Sequence, residues 1–497
     1  MNIPIKTLFK RLKINLSGLL LGSMVLLQSS LVFAADSIWY STNDPLKTEA
    51  YSPPAIPEGY LADSACAVAN VNNALTLADV VETALCNNPQ TREAYANARV
   101  QAAQLGVAKS AYFPVVNDNV SANLNWANPE STVRKNPYNN LSNNIVASYL
   151  LYDFGNRDAN LENARQLLQA ASATQSTVVQ SLLLNATQSY YQVQAAIAAL
   201  SAAIESEHAS EESYKAAQAR YQAGVSTPAD KLQAQTLLAQ NTLSRITIEG
   251  TLKNAYGALA NVMGLAANQA IKLTPIAITQ LQQSQLAQNV DADINALIEQ
   301  ARVRRPDLMA SEAQVKAAEA SIAASRAAAK PTVSVAVSNS FQDGSNLTST
   351  NNSALGITVS IPLFSGYGPT YKIRSAEAFA EAKSAQRDQL RLQISLDVWR
   401  AYQNLRTANE SIRATAVLLS SAEESSRVAL GRYKAGVGNI LDTLTAQSAL
   451  ASARQQQIQA SLNWNIARAT LAQSIGGLDN AMIQTLPTGG NQPIGLN

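Results

Sequence analysis

Histidine and cysteine are nearly absent from this chain, and their scarcity limits the chemistry it can perform. His208 is the only histidine, and Cys66 and Cys86 are the only cysteines. A histidine-rich metal site cannot form, and neither a glycine-rich phosphate loop nor a Gly-x-Ser-x-Gly elbow occurs. His208 lies in a polar helical stretch rich in glutamate and is interpreted as a solvated surface residue. We therefore expect no enzyme and no cofactor or metal.

Charge is also scarce, and several cations are concentrated near the N-terminus. Charged residues make up 14% of the chain, against ~25% in ordinary soluble domains. The cations between Lys6 and Lys13 precede a short apolar run and a small-residue site ending at Ala34, which is the layout of a cleaved secretory signal over residues 1–34. Removing that signal changes the formal charge from +2 to −2, so nucleic acid is not an expected partner.

The two cysteines predict one disulfide, because an exported chain reaches an oxidising compartment. A bond between Cys66 and Cys86 would join the Pro-rich extension, residues 35–74, to the first helix. A lipid-bearing cysteine would have to follow the signal directly, and Cys66 lies too far downstream for that role.

An internal duplication organises the rest of the chain. Pro89 and Pro114 have counterparts in Pro306 and Pro331, with the same spacing of 25 residues. Other matched motifs, including two Tyr-x-Ala-Gly-Val sequences, recur at offsets of 211 and 212 residues. We predict two repeats, at 75–265 and 294–477, separated by a linker at 266–293 and followed by a flexible tail at 478–497.

Each repeat contains two segments in which apolar and polar residues alternate, as in β-strands. Strands of about ten residues with one apolar face are typical of a membrane barrel with a wet interior. A half-buried soluble sheet has the same period and is the alternative. The predicted strands are 115–126, 145–152, 332–341 and 354–363.

Polar segments separate the two strands of each pair, and we predict surface loops at 127–144 and 342–352. Trp126 and Phe341 end the apolar strand faces just before these loops. Aromatic belts form at such positions, so we expect both residues near the outer rim of the membrane.

Very long helices follow the strands. No proline or glycine occurs between Arg157 and Gln222, 66 residues that would make a helix of about 100 Å. Each long helix reaches a tip, 221–230 or 433–442, and a second helix returns. Such hairpins cannot bury a globular core and must pack as coiled coils. The predicted fold class is mainly α with β.

Four strands cannot close a barrel, and open sheet edges are not tolerated in lipid. Symmetric copies of the chain must therefore complete it. Three copies would supply twelve strands, although two copies would also satisfy closure.

From about Leu75 to Leu478, the chain resembles the TolC-like outer-membrane efflux protein family. The duplicated order of elements, the helix starts at Asn88-Pro89 and Arg305-Pro306, and both tip sequences carry the resemblance. It implies a homotrimer with a twelve-stranded β-barrel in the outer membrane and an α-helical barrel in the periplasm. The partners implied are outer-membrane lipid, a periplasmic adaptor protein and an inner-membrane pump.

The resemblance also assigns roles to the tips. Matching positions place a periplasmic gate at Asp230, Tyr433 and Asp442. They place adaptor docking at the tip residues Gly224, Val225, Gly436 and Val437. Two further gate positions of the family, an Arg and an Asp, fall on Gly438 and Thr445, which predicts fewer charged links in the closed state. The alternative is that the glycines only end helices and that the aspartates only cap them.

The leading functional hypothesis is a passive exit duct of a tripartite pump for drugs and toxic small molecules. An exit duct of a type I protein secretion system is the alternative within the same class. A periplasmic coiled-coil scaffold and an exported hydrolase with paired carboxylates are more distant alternatives.

Overall fold

A computed structural model describes residues 44–60, 73–125, 138–274, 293–345 and 347–479. The chain divides into two units, 1–51 and 52–497. In the first unit the described residues form one short 3-10 helix, Thr48–Tyr51. The signal at 1–34, Cys66, Trp126 and the tail beyond 479 lie outside the described residues, as does most of the linker.

In the second unit the two repeats have the same order of elements. The first consists of β1 Ala74–Leu75, α1 Leu77–Asn87, α2 Pro89–Ser110, β2 Val115–Asn125, β3 Tyr138–Tyr152, α3 Asn156–Gln222, α4 Pro228–Val262 and, after it, β4 Lys272–Leu273. The second consists of α5 Ile294–Arg304, α6 Pro306–Ala327, β5 Thr332–Gly344, β6 Leu347–Ser360, α7 Gly368–Lys434 and α8 Ile440–Ser474. Within the described residues, no helix is both long and apolar enough to cross a membrane.

The four long strands form one antiparallel sheet in the order β2-β3-β5-β6, and the short strands β1 and β4 pair in parallel. The strand predicted at 145–152 begins earlier, at Tyr138, and the strand predicted at 354–363 is Leu347–Ser360. The strand predicted at 332–341 continues to Gly344, so Phe341 lies inside β5 and not at its end. The strand predicted at 115–126 is β2, which ends at Asn125 within the described residues.

The predicted loops were therefore wrong over 138–144, 342–344 and 347–352, which belong to strands. Polar residues continue the ladder here because their side chains also pair across it. Ser121 and Ser142 hydroxyls lie 2.8 Å apart, and Asn339 Nδ2 donates to Asn351 Oδ1 at 2.9 Å. Strand propensity and alternation do not reveal such pairing.

One face of the sheet is apolar at the end nearest the helices. Val116, Ala147, Val337 and Leu355 form a single row across the four strands, and Val116, Val337 and Leu355 are exposed. The next row toward the loops holds Asp118, Ile145, Asn339 and Ser353. The apolar face therefore gives way to a more polar one toward the β2–β3 and β5–β6 connections.

Helices α3 and α7 are each 67 residues long, which corresponds to about 100 Å. The returning helices α4 and α8 have 35 residues each. The largest core cluster joins α1 to α3 and to the end of α4, with Leu77, Leu183, Tyr190, Leu259 and Met263 fully buried. Burying each such side chain contributes roughly 1.5–3 kcal/mol relative to exposure.

The segment before the first repeat lies along α3. Gln175 Nε2 donates to the Pro54 and Ala55 carbonyl oxygens at 2.9 Å, and Gln180 Nε2 donates to the Tyr60 hydroxyl at 2.9 Å. Amide side chains of the long helix thus hold the extended segment where backbone groups would otherwise lack partners.

Both returning helices end at a glycine that touches backbone of the same repeat. Gly264 has φ +71° and a Cβ there would lie 2.8 Å from the Asn87 carbonyl carbon. Gly476 has the same φ, and a Cβ would lie 2.8 Å from the Arg304 carbonyl carbon. Asn88 Nδ2 donates to the Val262 carbonyl oxygen at 2.9 Å and strengthens the first junction. Each repeat is therefore closed by a glycine packed on the link between its two short helices.

Candidate functional site

The two hairpin tips have the same backbone geometry. Gly224 and Gly436 have φ +70° and +78°, in the left-handed region that glycine adopts with least strain. The Val225 N–H donates to the Arg220 carbonyl oxygen at 3.0 Å, and the Val437 N–H donates to the Arg432 carbonyl oxygen at 3.0 Å. These bonds satisfy the last carbonyl groups of the long helices and turn the chain into the returning helices.

The valine after each glycine points away from the protein. Val225 is 66% exposed and Val437 is 71% exposed. After a helix-ending turn of this kind, an apolar residue commonly packs back on the last helical turn. Neither valine is buried in that way, so each hairpin presents an apolar group at its extreme end.

Arg220 joins the first tip to the second. Its Nη1 donates to the Tyr433 carbonyl oxygen at 2.9 Å, and its guanidinium carbon lies 4.9 Å from the centre of the Tyr433 ring. Sequence reasoning missed this residue. The available signal was the duplication, since Arg220-Tyr221 and Arg432-Tyr433 are equivalent pairs.

Tyr433 is the buried member of the predicted gate, at 6% exposure. It belongs to a small apolar cluster with Ala217, Ala234, Leu237, Ile440 and Leu444. Burial raises the pKa of its hydroxyl, while Arg220 lowers that pKa and Asp230 raises it. Within the described residues, the hydroxyl oxygen is buried without a hydrogen-bond partner. Arg220 therefore contacts Tyr433 directly, whereas Asp230 acts on the Tyr433 hydroxyl through its charge.

Asp230 and Asp442 occupy equivalent first turns but have different contacts. The Thr227 N–H donates to Asp230 Oδ2 at 3.1 Å and the Asp230 N–H donates to Thr227 Oγ1 at 3.3 Å, a complete capping box. Asn439 alone caps the second helix, accepting from the Leu441 N–H at 3.1 Å. The Asp442 carboxylate is exposed and forms no hydrogen bond with any described residue. Asp230 therefore caps the start of its helix, as the alternative interpretation expects, whereas Asp442 does not.

Gly438 is tightly packed although its φ is ordinary. A Cβ at this position would lie 2.9 Å from the Tyr433 backbone nitrogen and 3.0 Å from the Arg432 carbonyl carbon. An arginine here would therefore displace the end of α7. Thr445 stands where the family pattern has the second gate residue, an Asp. It is exposed and lies one helical turn after Asp442.

The remaining predicted residues lie elsewhere. Cys86 is in α1 and is disulfide-bonded, while Cys66 lies outside the described residues, so their pairing stays a prediction. His208 is exposed on α3. In the described ranges, no three His, Cys, Asp or Glu side chains are grouped so that they could hold a metal ion.

Comparison with known proteins gives matches that cover both repeats. The model of the family described as "Outer membrane efflux protein" matches residues 80–265 and 297–477. Protein CyaE of Bordetella pertussis is 29% identical over 390 residues, covering 77% of this chain and 80% of that protein. Cation efflux system protein CusC of Escherichia coli K12 is 25% identical over 405 residues, covering 80% of this chain and 86% of that protein. The outer membrane protein VceC of Vibrio cholerae superposes with a TM-score of 0.71 at 18% identity, covering 81% of this chain and 97% of that one.

A four-stranded sheet joined to two long helical hairpins is the fold that this chain shares with the solved channel VceC. The chain belongs to the outer membrane efflux protein family.

Proposed function

We propose that this chain forms, as a homotrimer, the passive exit duct of a tripartite efflux pump together with a periplasmic adaptor protein and an inner-membrane pump. The trimer is inferred from the sheet, because its outer strands β2 and β6 each have one unpaired edge. Lipid does not tolerate such edges, and three copies would pair β6 of one with β2 of the next into twelve strands. The name of CusC, a cation efflux system protein, supports a small toxic solute as cargo.

A deletion strain tests the cargo. We expect greater susceptibility to at least one class among dyes, detergents, metals and antibiotics, restored by the full-length gene. Unchanged susceptibility together with loss of a secreted protein from the medium would favour the type I secretion alternative. Extraction of the protein from membranes by carbonate would support the periplasmic scaffold instead.

We further propose that Gly224, Val225, Gly436 and Val437 form the adaptor-docking ends of the hairpins, because both valines are exposed and both glycines shape the turn. Gly436→Asp is expected to lower efflux to the level of the deletion strain while the trimer stays in the membrane. The substitution places a carboxylate beside the exposed Val437 and strains a residue at φ +78° by about 1 kcal/mol.

Gly431→Asp is the matched control for Gly436→Asp. Gly431 lies in α7 near the same tip, where an added Cβ meets no atom within 4 Å. It introduces the same charge away from the turn and should leave efflux unchanged. Normal efflux in cells carrying Gly436→Asp would refute docking at this turn.

We propose that Asp442 forms a carboxylate ring at the periplasmic gate, to which Asp230 and Tyr433 also belong. Three carboxylates within ~6 Å would repel by about 3 kcal/mol per pair at an effective dielectric constant of ~20, and a multivalent cation would relieve that repulsion.

Asp442→Ala is expected to abolish block of single-channel conductance by a trivalent cation added from the periplasmic side of a planar bilayer. Glu423→Ala removes an exposed carboxylate from the same hairpin farther from the tip and should leave block unchanged. Equal block of wild type and Asp442→Ala would remove Asp442 from the gate.

A further inference from the structure

Exposed aromatic pairs lie where the sheet meets the long helices in both repeats. The Tyr152 and Phe154 rings meet edge to face with their centres 4.8 Å apart. The Phe364 and Tyr367 rings do the same at 5.5 Å. All four side chains are exposed, Phe364 most of all at 77%. The single chain therefore leaves a large part of each side chain uncovered.

The backbone beneath the rings is strained. Phe154 and Gly155 have φ of 56° and 86°, and Gly366 and Tyr367 have φ of 62° and 61°. A bulky residue rarely adopts this region, and glycine does so with little strain. Each repeat nevertheless keeps one aromatic residue in the turn, at the first position in one repeat and at the second in the other. Retention of an exposed ring at a strained position points to a contact outside the chain.

In each repeat a cation lies against an aromatic ring at or near the pair. Lys330 Nζ lies 5.6 Å from the centre of the Phe154 ring, and the Arg374 guanidinium lies 5.8 Å from the centre of Tyr371, one helical turn after Tyr367. Both cations are exposed.

The nearby carboxylates are engaged with other groups. Asp153 pairs with Arg157 at 3.1 Å, Glu377 pairs with Arg326 at 2.7 Å, and Asp158 accepts from the Tyr112 hydroxyl. Within the described residues, neither Lys330 nor Arg374 forms an ion pair. Both cations are therefore available to an external anion.

The first aromatic pair continues the apolar face of the sheet. Tyr152 is paired with Val333, which is paired with Val359, so these three side chains share a row. Phe154 and Lys330 follow directly beyond that row on the helical side. In a membrane-embedded sheet this position is the level of the lipid headgroups on the periplasmic side, where amphipathic rings and cations are favoured.

We propose that Tyr152, Phe154 and Lys330 in the first repeat, and Phe364, Tyr367 and Arg374 in the second, bind anionic phospholipid of the periplasmic leaflet of the outer membrane. The phosphodiester group contacts the cation, the rings hold the headgroup region, and the acyl chains lie along the apolar face of the sheet. This binding rests on the proposed function, because it requires the sheet to be embedded in the outer membrane.

Native mass spectrometry of the detergent-solubilised, full-length mature protein tests the sites. Dioleoyl phosphatidylglycerol should bind more tightly than dioleoyl phosphatidylethanolamine. Lys330→Gln and Arg374→Gln should each weaken phosphatidylglycerol binding by about fivefold, the effect of one cation at a membrane surface. Lys316→Gln removes an exposed lysine from helix α6, which ends three residues before Lys330, and is the matched control. Equal binding of the two lipids, or wild-type binding by both variants, would overturn the proposal.

Phe154→Gly separates lipid binding from folding. Glycine suits φ 56°, so the variant should assemble at least as well as wild type. It should nevertheless lose the preference for phosphatidylglycerol, and an unchanged preference would exclude the ring from the site. The same spectra report the oligomeric mass. A monomeric wild-type protein would count against the proposed channel, whereas a trimer without lipid preference would count only against these sites.

Discussion

Replacing Gly264 with alanine is expected to eliminate most of the folded protein, and with it most of the proposed trimer, from the outer membrane. A Cβ at this position would lie 2.8 Å from both the carbonyl carbon and the carbonyl oxygen of Asn87, which are backbone atoms. The residue also has φ +71°, where a side chain adds about 1 kcal/mol of strain. Since the link between α1 and α2 must shift, we expect a total loss of roughly 3 kcal/mol in the free energy of unfolding, among the large effects of single substitutions.

Gly250→Ala provides the matched control for Gly264→Ala. Gly250 lies in the same helix, α4, and an added Cβ there meets no atom within 4 Å. Alanine should stabilise that helix by up to about 1 kcal/mol. The measurements are trimer yield in outer membranes and the thermal unfolding temperature in detergent. Equal values for the two variants would show that the contact between Gly264 and Asn87 does not close the first repeat.

Arg220→Ala is expected to produce a leaky channel. The substitution removes the hydrogen bond to the Tyr433 carbonyl oxygen and the cation–π contact with the Tyr433 ring. A charged hydrogen bond contributes about 1.5–3 kcal/mol and the ring contact about 0.5–1 kcal/mol. That energy holds the end of α7 against the end of α3 in each subunit. Its loss should raise the baseline conductance in planar bilayers and sensitise cells to antibiotics too large for ordinary porins.

Two further substitutions serve as controls for Arg220→Ala. Arg427→Ala breaks an exposed pair with Glu424 on α7. Solvent screening makes such exposed pairs weak, so conductance should not change. Arg220→Lys keeps the charge but loses the planar group that contacts carbonyl and ring together, and should give an intermediate conductance. Conductance equal to wild type in Arg220→Ala would show that the two tips are held together by other contacts.

Much of this architecture could be predicted because duplication repeats its signals. Proline marks the starts of α2 and α6, glycine marks both tips, and the uninterrupted stretch ending at Gln222 indicates the length of α3. The ends of the strands were harder to predict from the sequence. From Tyr138 to Asn144 the strand is largely polar, and only its pairing with β2 and β5 identifies it as a strand.

Only part of the candidate site could be predicted from the sequence. Resemblance located Asp230, Tyr433 and Asp442, but equivalent positions did not indicate that Asp230 is engaged in a capping box and Asp442 is not. The role of Arg220 depends on a contact between residues 213 positions apart. Such a contact becomes visible only once the two hairpins are packed together.

The tips also differ in how easily each one can move. Pro228 and the Thr227–Asp230 capping box fix the start of α4, because proline restricts the backbone and the box satisfies two exposed amides. Helix α8 begins without proline and with the single cap of Asn439, directly after Gly438. Rotating the second returning helix therefore breaks fewer local bonds than rotating the first. The two hairpins share one backbone geometry at the tip, but only the second starts its returning helix without proline and with a single cap.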